Sequence, residues 1–207
     1  MVPFHIRLIG VDVDASVLEI AKSLMAARQM PSFFVMEGDI ATPGIISRDL
    51  ADTFGVNMRD GVHIRSFLDH NRHIEAPDNT GTANAKQRGP VFEFQHVADH
   101  PSCAYVSRDG KSLSGDEVCR SLFAHFQRWS AETGRFGVIF IDSISFPDSV
   151  MQSTLGRHRS LGIVHAYSAQ YLASFEQLDF ALAASGYEVR SWKQLNNVIS
   201  CWIVSTK

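Results

Sequence analysis

Cysteine is scarce in this chain. Cys103, Cys119 and Cys201 are odd in number and widely spaced. That excludes a disulfide framework and points to reduced thiols in a cytoplasmic setting. No GxGxG run occurs, so the glycine cradle of a dinucleotide site is missing. No G-x-S-x-G elbow occurs either, which removes the usual serine-hydrolase nucleophile. No apolar run approaches the roughly 20 residues a membrane helix requires. The opening MVPFHIRLIG leads directly into a strand rather than a signal peptide. Basic residues form no run, and 19 Lys and Arg against 22 Asp and Glu leave a net charge of −3. A nucleic-acid backbone is therefore a poor main partner. There is no internal repeat, low-complexity tract or linker.

What is present is a core. With 45% hydrophobic residues in a chain of 207, the expectation is one domain spanning residues 1–207. Its organising stretch is Leu8–Ile40. A strand runs from Ile6 to Val11, followed by the acids Asp12 and Asp14. Val17, Leu18, Ala21, Leu24 and Met25 then recur at helical spacing. Asp14 is placed to cap that helix, with Asp12 near its positive end. Arg28 lies in its last turn and Pro31 beyond. A second apolar strand, Phe33 to Met36, ends in Glu37-Gly38-Asp39-Ile40. Strand, acid, helix, strand, acid describes a βαβ unit. Its acids sit at the carboxyl ends of neighbouring parallel strands, where open α/β sheets bind ligands. The plain alternative is a capped helix and a turn.

Gly10-Val11-Asp12 and Glu37-Gly38-Asp39-Ile40 resemble the second and third strands of class I S-adenosylmethionine-dependent methyltransferases. The resemblance implies a Rossmann-like, mostly parallel sheet ending in an antiparallel hairpin. It also implies S-adenosylmethionine as cofactor. Asp12 would hold the ribose hydroxyls, Val13 would pack on the adenine, and Asp39 would accept from its amino group; Ile40 and Phe67 would complete the cofactor site. A carboxylate, an acceptor only, suits a vicinal diol or an exocyclic amine. The resembling fold starts with a further strand and a glycine-rich loop that this sequence lacks. The expectation is thus a strand supplied upstream or a closed gap, and weak cofactor binding.

Further along, Pro43 opens a helix that ends near Gly55, and Asp60-Gly61 marks a turn. Val62, Ile64, Ser66 and Leu68 alternate with polar or large residues as a strand does. Residues 75–115 form an irregular insertion, with a candidate hairpin at 91–97 and 103–107. Ser112 or Ser114 starts a helix over 114–132, striped by Val118, Leu122, Phe123, Phe126 and Trp129. Residues 137–144, GVIFIDSI, form an apolar strand reaching Asp142. A helix is expected over 168–185, ended by Gly186. The tail forms two strands around Asn196-Asn197. Four strands, 6–11, 33–37, 62–68 and 137–142, are expected side by side.

Two clusters carry candidate chemistry. In Ser66–His73, Asp69 or His70 is a candidate base, imidazole being suited to proton transfer near neutrality. The alternative is a solvated loop in which Asp69 pairs with Arg72. In His165–Gln170, expected at the entrance to the last helix, His165 is the third catalytic candidate. That phrase resembles the His and Gln region of methyltransferase domains in polyketide assembly, which carry divalent iron or manganese and methylate malonyl-type carbons. It implies His165 and Gln170 as metal ligands, here five residues apart, and such ligands suit those metals. His96 and His100 have the spacing of a helical pair but lie in a loop. Asp142 could approach substrate or cap a turn. The function expected is methyl transfer to a carbon or oxygen of a small-molecule or carrier-bound substrate in secondary metabolism, with no membrane partner. Its rivals are a non-catalytic binding module of the same fold and a nucleotide-dependent oxidoreductase.

Overall fold

The first two apolar runs pair as parallel strands, β1 (Leu8–Asp12) with β2 (Phe33–Glu37), in register Leu8 with Phe33 through Asp12 with Glu37. Helix α1 (Ala15–Ala27) connects them, and Asp14 caps it by accepting from the Ser16 amide. Helix α2 (Pro43–Phe54) follows, with Pro43 in its first turn and Gly55 left-handed at its end. Leu18, Pro43, Ile46 and Leu50 are buried here. Gly38 is a close-approach position: a Cβ there would meet Val11 Cγ1 at 2.8 Å. The structure, a computed structural model, describes residues 6–30, 32–72, 74, 105–145, 153, 159–196 and 199–206. These fall into two compact units, up to Asn57 and from Met58.

The second unit is built on a four-stranded sheet of order β3-β6-β8-β7. β3 (His63–Ser66) lies parallel to β6 (Val138–Ser143), which pairs antiparallel with β8 (Ile199–Thr206). β7 (Tyr187–Asn196) closes the edge as the hairpin partner of β8. A short hairpin, β4 (Tyr105–Val106) with β5 (Ser112–Leu113), precedes α3 (Gly115–Glu132). Ser114 and Glu117 form a reciprocal capping box on α3. Helices α4 (Arg159–Tyr167) and α5 (Phe175–Ala184) follow. The core joins Leu122 and Phe126 of α3, Val138 and Phe140 of β6, Leu178 and Leu182 of α5, and Trp202. Among the described residues no helix is long and apolar enough to cross a membrane.

Two expectations are corrected, and one strand turns a face that its apolar residues would not choose. The four strands do not make one sheet: β1-β2 is a two-stranded parallel sheet and the larger sheet is mixed. The last helix starts at Phe175, because Ser174 caps it and Gln177 returns the bond, so His165–Gln170 is not its entrance. β3 is turned the other way from what burial of its apolar residues requires. Val62 and Ile64 are exposed, while Arg65 is buried against Asp69, His125 and the Trp129 ring, and burial, more than the opposing pull of Asp69, sets its pKa, which is lowered. The segment 91–97, His73, His96, His100 and Cys103 lie outside the described residues.

Candidate active site

After β3 the chain reverses within a few residues. Phe67 donates its amide to the Ile141 carbonyl at 2.7 Å and takes a left-handed backbone with φ of 57°. For a bulky residue that conformation costs about 1–2 kcal/mol. A single 3-10 turn, Asp69–Asn71, comes next. Within this loop Asp69, His70 and Arg72 are buried, while Phe67, Leu68 and Asn71 are exposed.

The turn delivers His70 to the end of β6. Alternation on β6 puts Val138, Phe140 and Asp142 on one buried face, so an acid stands at the end of a core row. Asp142 takes the His70 amide at 3.1 Å on Oδ2 and the ring Nδ1 at 2.5 Å on Oδ1. Nδ1 facing a carboxylate carries a proton, which leaves Nε2 as the ring nitrogen that could accept. It makes no hydrogen bond to the described residues. Burial raises the Asp142 pKa, reinforced by the Asp69 charge and opposed by the bond from His70. The His70 carbonyl accepts from the Tyr171 amide at 2.6 Å. That segment is tied to β6 in turn, since the Ser145 amide donates to the Ala173 carbonyl at 2.9 Å.

His165 lies in the last turn of α4, half-buried. Its ring packs edge-on against His70, centroids 5.9 Å apart. Ala169 is left-handed, with φ of 50°, and the Gln170 amide donates to the His165 carbonyl at 2.8 Å. The fold thus brings His70 and His165 together. Among the described residues no three His, Cys, Asp or Glu side chains gather as a metal site would need.

Asp69 points elsewhere. Its Oδ1 pairs with Arg65 and lies 3.0 Å from His125 Nε2, which is itself 2.6 Å from Arg65 Nη2. The Arg65 guanidinium sits 4.1 Å over the Trp129 ring. Burial pushes the Asp69 pKa up, but Arg65, His125 and Arg72 together hold it below the ordinary carboxylate value. Burial, aided by Arg65, pushes His125 down to about 4, so the ring is neutral. Arg72 does not pair with the Asp69 carboxylate. It donates to the Asp69 carbonyl at 2.9 Å and the Val118 carbonyl at 3.0 Å. Arg65 and His125 escaped the sequence reading. His125 carried a signal, since it falls three residues after Leu122 and four before Trp129 on the buried stripe of α3. Arg65 carried none.

In the first unit, Asp12 and Asp39 follow the carboxyl ends of β1 and β2, both half-buried. Each spends one oxygen locally: Asp12 Oδ1 on the Asp14 amide at 2.9 Å, Asp39 Oδ1 on the Ala41 amide at 2.8 Å. The second oxygen of each makes no hydrogen bond to the described residues. A carboxylate oriented by a turn with one acceptor open fits a ribose diol or an adenine amine. Val13 is 60% exposed beside Asp12, Ile40 is half-buried, and Phe67 of the second unit is 43% exposed.

Solved structures share this α/β fold. An O-methyltransferase family 2 protein from Planctomyces limnophilus DSM 3776, in complex with apigenin, aligns with a TM-score of 0.56 at 10% identity, over 97% of this chain and 43% of that one. LepI in complex with SAM aligns at 0.52 and 10% identity, over 97% and 36%. NcsB1, an O-methyltransferase of neocarzinostatin biosynthesis bound to S-adenosyl-L-homocysteine and 1,4-dihydroxy-2-naphthoic acid, aligns at 0.51 and 13%, over 98% and 42%. The chain spans less than half the length of these proteins. No curated protein matches. A family model, the AprA MT2-like domain, matches residues 2–197. The chain belongs to that family and with it to the class I S-adenosylmethionine-dependent methyltransferases.

Proposed function

We propose that this domain transfers a methyl group from S-adenosylmethionine to a hydroxyl of a small molecule of secondary metabolism, with His70 as the base. The observation that carries this reading is the His70–Asp142 pair: an imidazole whose Nδ1 is held at 2.5 Å and whose Nε2 is left open. The cofactor, when bound, would supply an electrophilic sulfonium methyl carbon to the acceptor oxygen. His70 Nε2 receives the hydroxyl proton as its oxygen becomes the nucleophile. Asp142 holds the ring in one tautomer and balances the imidazolium that forms. His165, against the His70 ring, limits its rotation. Asp12 and Asp39 would hold the ribose and adenine, with Val13 and Ile40 beside them in the same unit.

Asp69 is less suited to act as base, being buried and ion-paired. An oxygen acceptor is favoured over carbon because one neutral imidazole suffices for a phenol of pKa about 10, whereas an enolate needs further donors for its oxygen. Two of the similar folds were solved with hydroxylated aromatics, apigenin and dihydroxynaphthoic acid. The test is transfer of labelled methyl from S-adenosylmethionine to a panel of phenols, malonyl thioesters and carrier-bound acyl groups. Product on phenols, lost in His70→Ala with cofactor affinity retained, is expected. Product on malonyl thioesters alone would move the acceptor to carbon. Cofactor binding without any product would favour a binding module.

A further inference from the structure

The charged cluster beneath the turn is poorly satisfied for its depth. Arg65 Nε and Nη1, Asp69 Oδ2 and His125 Nδ1 are buried without a hydrogen-bond partner among the described residues. Buried ion pairs contribute little net stability compared with well-packed apolar residues of like volume. β3 meanwhile leaves Val62 and Ile64 exposed while burying Arg65. Core packing alone would place these residues the other way round. The arrangement therefore answers to something other than stability.

Resting on the reading of His70 as the base, we propose that Arg65, Asp69 and His125 are positioning residues: they hold the 67–72 turn closed so that the His70 ring stays on Asp142. The turn needs holding, because Phe67 is left-handed at its start and such strain persists only where its surroundings over-determine it. Asp69, two residues on, is clamped from both sides. Its carboxylate is held by Arg65 of β3 and His125 of α3, and its carbonyl by Arg72. His70 is the next residue, so its ring inherits that constraint. Arg65, four residues before Asp69 on a rigid strand, and His125 on a long helix are fixed anchors. A cluster serving only as filler would leave the ring of His70 indifferent to its removal.

The experiment replaces the cluster by apolar residues of similar size, Arg65→Met, Asp69→Leu and His125→Phe together, and reads two quantities in the whole chain. One is the far-downfield NMR signal of the His70 Nδ1 proton, assigned by its disappearance in Asp142→Asn. The other is turnover. The triple variant is expected to unfold cooperatively, to lose that signal, and to lose turnover on the order of 100-fold, as small misplacements of a reacting group do, with the KM for S-adenosylmethionine unchanged. A folded triple variant that keeps the signal at full strength overturns the proposal. Should the triple variant fail to fold, His125→Phe alone decides: a weakened signal supports the proposal and an unchanged one overturns it. The signal needs no substrate, so absence of methyl transfer in the unaltered chain would refute the function while leaving this test intact.

Discussion

On α1 only Leu18 is buried, while Val17, Ile20 and Leu24 are 44–61% exposed; beyond residue 57 it is Arg65, Asp69, Arg72 and Asp142 that are buried, at 3% exposure or less. In the first unit Asp12 and Asp39 stand half in water, each with one oxygen that makes no hydrogen bond to the described residues. In the second unit Asp69 and Asp142 are buried and spend themselves on neighbouring groups of the chain. The difference follows from dielectric. A solvated acid is a sound acceptor for a diol or amine but exerts little force at a distance, whereas a buried one interacts strongly with what it touches.

The largest test of that contrast is His70→Ala. Turnover should fall roughly 100- to 10,000-fold, the range of a lost general base, while calorimetry shows unchanged cofactor affinity. Parallel loss of both would mean that the second unit also holds the cofactor.

Next is the response to acid. His125 is depressed to about 4 in the fold against 6.5 free. Between those values the unfolded chain binds a proton that the native chain refuses, so stability is full above pH 6.5 and falls as pH drops toward 4. The loss is on the order of 3 kcal/mol. Asp69, also depressed, adds to it at the acid end. Asp142, raised by burial, acts oppositely, because its protonation relieves the native state. Thermal unfolding from pH 7 to 4 should show a steep decline that flattens in His125→Phe.

In the first unit, Asp12→Ala should weaken S-adenosylmethionine binding by roughly 10- to 100-fold, the worth of hydrogen bonds to a charged group, and leave the acid response of the second unit alone. The smallest effect separates the units by their caps. Asp14→Ala and Ser114→Ala should each cost about 1 kcal/mol. Hydrogen exchange should place the first loss in β1 and β2 amides only, and the second in those of α3 and β6. Exchange rising throughout the chain in either variant would show one cooperative body.

The chain itself determined much of the local structure, because local structure is set by neighbours. Asp14 caps α1, Pro43 opens α2, Ser114 starts α3 and Asn196 ends β7 as their side chains and spacing require. Asp12 and Asp39 stand at the strand ends that the βαβ pattern indicated. The chain also fixed the residues from which a base could be drawn, His70 and His165 among them. Only tertiary structure decided which has an orienting partner, since Asp142 lies 72 positions from His70 and no sequence period links them. It decided likewise that Arg65 faces inward. Local alternation favours burying Val62 and Ile64, and that preference is overridden by an acid four residues on, a histidine 60 residues away and the Trp129 ring. Pattern along a chain records which face is apolar. It does not record which charges meet once the strands and helices are stacked, as Arg65, Asp69 and His125 do here.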